Sequence, residues 1–126
     1  GGIAGYTTDK RYIICTVKNS VIEGTTTKSN NIGGIVGFVA WRFRNGRVEN
    51  SQVKSLGNNV GGIAGSQAAE GIFNSIVIQS QIEGYSNVGG IVGNITKGGG
   101  SYYRNYTNST VTANIHSAGR YYRVFR

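Results

Sequence analysis

Apolar and polar residues alternate along this chain in short runs, and the runs return at a nearly fixed interval. One eight-residue block reads Val17-Lys18-Asn19-Ser20-Val21-Ile22-Glu23-Gly24, and it recurs from Val48 to Ser55, from Val77 to Gly84 and, more loosely, from Tyr106 to Ala113. The common pattern is apolar, polar, Asn or Gln, Ser, any residue, Ile or Val, any residue, small. Alternation of this kind is the mark of a half-buried strand. Each block therefore predicts strand structure with Ile22, Val53, Ile82 and Val111 facing a core.

A second element is the pentapeptide Gly-Gly-Ile-Ala/Val-Gly, which begins at Gly1, Gly33, Gly61 and Gly89, with a decayed copy near Gly119. A third, Asn31-Ile32, Asn59-Val60 and Asn87-Val88, stands just before the pentapeptide, with Ser117-Ala118 ahead of the decayed copy. Together they divide the chain into repeats 1–32, 33–60, 61–88 and 89–118, followed by a degraded partial repeat, 119–126. A unit of this size cannot bury its own apolar face. Stacking equivalent strands about 4.8 Å apart buries a shared core and pairs backbone groups between coils. The expectation is an all-β single domain, a parallel β-helix (β-solenoid) of four coils plus a partial fifth.

That fold assigns roles to most repeated residues. Ile3, Ile35, Ile63 and Ile91 should form a second interior ladder, and Ser20, Ser51, Ser80 and Ser109 a column of small residues where the coil narrows. Asn31, Asn59 and Asn87 fit stacked turn positions whose amides bond along the stack. Paired glycines such as Gly33 and Gly34 fit tight corners, positive φ or close backbone approach. Repeat length is expected to vary mainly at residues 38–47, 66–75 and 94–105, a face such folds often use for binding.

Composition agrees. Among the 126 residues are 14 Ile and 12 Val but one Leu and no Met, and β-branched side chains favour strands. The 21 glycines occur without proline, unlike a collagen or a disordered linker. A single cysteine excludes an internal disulfide, and no apolar run is long enough to span a bilayer as a helix. The start on a repeat motif, without Met or a leader, points to a piece of a longer protein whose other segments would be its neighbours.

The pentapeptide, with Asn-Val before it and an Asn-Ser-x-Val-x-Gly-like block after it, resembles the GLUG repeat of bacterial surface proteins. The resemblance covers the chain through about Gly119. This sequence has Ile35, Ile63 and Ile91 where that motif usually has Leu, and Ser20, Ser51 and Ser80 where it often has Cys. What the resemblance implies is a secreted or cell-surface location, in adhesin-like proteins and in non-catalytic regions of IgA-specific metallopeptidases. It implies no catalytic residue.

Candidate chemistry is sparse. The acids are Asp9, Glu23, Glu49, Glu70 and Glu83, and Glu23 and Glu83 share an outward column with Lys54 rather than forming a carboxylate pair. His116 has no Cys or acid near it in sequence and reads as a solvated or capping side chain. Cys15, beside Tyr12-Ile13-Ile14, reads as a small buried thiol. Neither a metal nor a cofactor is expected.

Charge adds more. The chain carries a formal net charge of +8, and Lys10, Arg11, Arg42, Arg44, Arg47, Lys97 and Arg104 fall in the variable parts of successive repeats near Tyr12, Trp41, Phe43, Tyr102 and Tyr103. A basic stripe of Lys10, Arg11, Trp41, Arg42, Arg44, Arg47, Lys97 and Arg104 would suit a polyanion: teichoic acid, lipopolysaccharide, a glycosaminoglycan or another host glycan, and least of all nucleic acid. The plainer alternative makes Phe43, Phe73 and Tyr102 a core ladder and the bases a solubilising rim. The leading expectation is a non-enzymatic structural or adhesive module of a bacterial surface protein. The polyanion-binding module is second, and a fragment of a carbohydrate-active β-helix enzyme third.

Overall fold

The computed structural model describes residues 1–8, 14–96 and 101–114, and these form eighteen short strands, β1 to β18, with no helix. They stack in five columns, and every pairing is parallel. The first column follows the pentapeptide: β1 (Ala4–Thr7), β5 (Val36–Val39), β10 (Ala64–Gln67) and β15 (Val92–Ile95). The second holds β6 (Arg42–Arg44), β11 (Gly71–Phe73) and β16 (Ser101–Tyr103). The third holds β2 (Cys15–Lys18), β7 (Gly46–Glu49), β12 (Ile76–Ile78) and β17 (Tyr106–Thr107). The fourth holds β3 (Val21–Gly24), β8 (Gln52–Ser55), β13 (Gln81–Gly84) and β18 (Thr110–Ala113), and the fifth β4 (Ile32–Gly33), β9 (Val60–Gly61) and β14 (Val88–Gly89).

This is a β-solenoid of about three turns, one fewer than the repeat count predicts. The second and fifth columns are only three strands deep. Their missing layers fall at 9–13 and near 117–118, outside the described residues, as does the partial fifth repeat at 119–126.

The interior ladders are in register. Val53 pairs with Ile22 below and Ile82 above, and Ile82 pairs with Val111. Val53 and Ile82 are fully buried, while Ile22 and Val111, on the end layers, are half-buried. Ile35, Ile63 and Ile91 are likewise sealed, but Ile3 is 54% exposed because nothing stacks beneath it. Enclosing such a side chain contributes about 1.5–3 kcal/mol. Only a layer with neighbours on both sides gains it in full.

The corners are made by asparagine. Asn19, Asn31, Asn45, Asn50, Asn59, Asn74 and Asn87 all take φ between 49 and 62°, the left-handed region that Asn tolerates best after glycine. Gln79, Glu70 and Arg104 occupy the same region, and Gly71 is the described glycine with positive φ. The paired glycines answer to the other expectation, close approach. A Cβ on Gly34 would strike the carbonyl oxygen of Gly62, and one on Gly62 that of Gly90.

Polar columns tie the corners together. The Ser20 N–H donates to Ser51 Oγ at 3.1 Å, Ser51 N–H to Ser80 Oγ at 3.1 Å and Ser80 N–H to Ser109 Oγ at 3.2 Å. The Ser20, Ser51 and Ser80 hydroxyls each donate to the carbonyl two residues back. At the fifth column the Asn59 amide donates to Asn31 Oδ1 and the Asn87 amide to Asn59 Oδ1, both at 3.0 Å.

Loop length departs from expectation. Seven residues, 25–31, join β3 to β4, against four, 56–59, and three, 85–87, at the equivalent turns. The extra length of the first repeat therefore lies after its serine. The turn from first to second column varies as well, with two residues at 40–41, three at 68–70 and five at 96–100.

Candidate functional site

The second column and its corner carry part of the basic stripe. Register places Arg42 beside Gly71, Phe43 beside Ile72 and Tyr102, and Arg44 beside Phe73 and Tyr103. Alternation sends Phe43 and Ile72 fully inside and leaves Arg42 and Arg44 on the outer surface. The core ladder is thus Phe43, Ile72 and the half-buried Tyr102. Phe73, expected in that ladder, instead lies outside beneath the Arg44 guanidinium, 4.7 Å from carbon to ring centroid. Such a contact contributes on the order of 0.5–1 kcal/mol at an exposed site.

A buried amide sets this face. Gln67, fully enclosed at the end of β10, donates through Nε2 to the carbonyls of Trp41 and Ala69. Its Oε1 accepts the Tyr102 hydroxyl at 2.6 Å. A buried amide so satisfied carries little desolvation penalty, and here it pins the turn from which Trp41 projects, 38% exposed.

Two of the arginines are already engaged. Arg42 Nε lies 2.8 Å from Glu70 Oε2, and Arg47 Nε lies 3.0 Å from Glu49 Oε2, with Lys18 at 4.0 Å from the same oxygen. The Arg47 hydrogen bond holds the Glu49 carboxyl below its ordinary range, with Lys18 adding to the effect and partial desolvation opposing it. Trp41, Arg42, Arg44 and Arg104 therefore share the second column and its corner, where Arg104 follows β16 as Asn45 follows β6. Arg47 stands around that corner on the third column. Lys10, Arg11 and Lys97 lie outside the described residues, as do Asp9 and His116.

A second feature lies on the fourth column. Glu23, Lys54 and Glu83 stack outward in register, with Lys54 Nζ 3.6 Å from Glu23 Oε2. They wall an open groove of about 350 Å³ whose other side includes Leu56 and Asn114 and whose floor includes Gly24 and Ser55. The outward column was legible in the repeats. The groove was not, although the small residue closing each block was its signal: small side chains leave a trough between taller ranks.

Cys15 is half-buried against the core at the start of β2, and burial raises its thiol pKa. It is thus less nucleophilic than a free thiol at neutral pH. Among the described residues no group of three or more His, Cys, Asp or Glu is placed to hold a metal ion. Comparison of the chain with family models, curated proteins and solved structures finds no match, so the GLUG resemblance rests on the repeated residues alone.

Proposed function

We propose that this chain is a non-enzymatic structural or adhesive module, a rigid segment of a secreted or cell-surface protein of the bacterial kind its repeats resemble. The observation that carries the reading is where the polar side chains go. Three of the four described carboxylates, Glu23, Glu49 and Glu70, sit within 4.0 Å of a base on the adjacent layer, and the serine and asparagine columns run along the stack. Groups that could do chemistry are joining one coil to the next. In such a stack each coil contacts only its neighbours, so a rod can be shortened by a whole unit. Deleting residues 61–88 should leave a cooperatively folding chain shorter by about 4.8 Å, one strand spacing. A deletion variant that is unfolded by circular dichroism would count against a modular rod.

The Arg44–Phe73 contact, with Trp41, Arg42 and Arg104 on the same column, favours a second reading as a polyanion-binding surface. Heparin and teichoic acid are suitable probes. Binding should weaken as salt rises, and replacing Arg42, Arg44 and Arg47 by Ser together should abolish it with little change in melting temperature. Salt-independent binding, or full binding by the triple variant, would remove this reading and leave the rod.

A further inference from the structure

Asn45–Gly46 is the one Asn-Gly pair in the chain, and it forms the corner between the second and third columns. The pair is reactive in a free chain because glycine offers no side chain to hinder its own nitrogen. That nitrogen attacks the Asn side-chain carbonyl carbon, a C–N bond closes a succinimide, and ammonia leaves while the amide proton passes to solvent. Water then opens the ring at either carbonyl, leaving aspartate or isoaspartate.

Packing dictates the glycine. A Cβ at position 46 would run into the Phe43 ring and crowd Ile35 Cδ1, so no larger residue fits without moving the core. The liability is thus imposed by the interior. The corner also restrains it. The Gly46 N–H, the attacking group, donates to Ser75 Oγ at 3.2 Å, and Ser75 is itself fully buried with its hydroxyl turned to the Phe73 carbonyl at 3.0 Å. Asn45 is held at φ 61°, with its N–H on the Phe73 carbonyl at 3.1 Å and its own carbonyl receiving the Cys15 N–H at 3.4 Å. Ring closure requires the Asn45 backbone to turn out of this left-handed well. All of these hydrogen bonds oppose that turn.

We propose that Asn45–Gly46 is a latent site of spontaneous deamidation, latched by the Ser75 hydroxyl of the next coil, which reacts when this corner opens. The product would place a carboxylate next to Arg44 and two residues from Arg47, lowering the charge of the basic face. An isoaspartate would add a backbone atom at the corner and displace β7 from its register.

The test follows Asn45 by peptide mapping with mass spectrometry, separating aspartate from isoaspartate, during incubation in warm, mildly alkaline buffer. Native wild-type chain should deamidate there about tenfold or more slowly than the same chain in urea, since reaction must await opening. Equal rates in the two states would overturn the proposal. Ser75→Ala should speed reaction at Asn45 under native conditions, whereas Ser51→Ala, which removes the matching hydroxyl at the next corner, should not. Equal acceleration by both would mean general loosening and overturn the latch. If Ser75→Ala does not fold, Ser75→Cys takes its place, keeping similar volume with a weaker acceptor, and is read against the same two outcomes.

Discussion

The side chain of Ser51 accepts the backbone N–H of Ser20 at 3.1 Å and donates to the carbonyl of Glu49 at 2.9 Å, so one hydroxyl serves two coils. At this corner the left-handed residue interrupts the strand, and the hydroxyl supplies an acceptor between coils. Ser51→Ala should therefore cost about 1–3 kcal/mol, the penalty for a buried donor left unpaired. Gln52→Ala, exposed on the adjacent position, should stay near wild type. Urea midpoints of the two variants check this.

Glycine positions should separate into two groups. Gly62→Ala drives a methyl into the Gly90 carbonyl and between the Val77 methyls, while the same change at Gly5 meets nothing within 4 Å. The first should be strongly destabilising and the second nearly neutral, as read by thermal melting. Ser66, which looks like an innocuous position in the repeat, is a poor control. It is 1% exposed and its hydroxyl donates to Asn31 Oδ1 at 2.6 Å.

Much of this was legible because a solenoid writes each contact several times. Val53 could be placed between Ile22 and Ile82 from recurrence alone, and the Asn31, Asn59 and Asn87 column likewise. Reading failed where copies differ. The second-column strands are three residues long and follow turns of unequal length, so matching by residue type put Phe73 where Ile72 belongs. A slip of one residue exchanges inside for outside. Positive φ and close approach both call for glycine, and the sequence does not say which. Here Asn took most of the first role, leaving Gly34 and Gly62 the second.

At Asn59 the two demands can be separated. Asn59→Gly keeps the φ of 62° accessible but loses the amide ladder to Asn31 and Asn87, whereas Asn59→Ala loses both. The Ala variant should be the less stable of the two by about 1 kcal/mol or more, the strain of a left-handed non-glycine residue. Equal stability would assign the asparagine to the ladder alone.

Glu49 gives the corner region a pH dependence of known sign. Its folded pKa is depressed, chiefly by the Arg47 hydrogen bond, so its contribution is complete above the unfolded carboxylate range and is lost as pH falls through the folded value. Stability should then decline on acidification from the ordinary Glu range downward, and Glu49→Gln should flatten that part of the profile. Arg47→Ala should flatten it too, because the principal cause of the depression is gone. Glu83→Gln is the control: Glu83 is exposed and makes no ion pair within 4.0 Å among the described residues. If Glu83→Gln changed the acid limb as much as Glu49→Gln, the dependence would reflect overall charge on a basic chain rather than the Arg47–Glu49 pair.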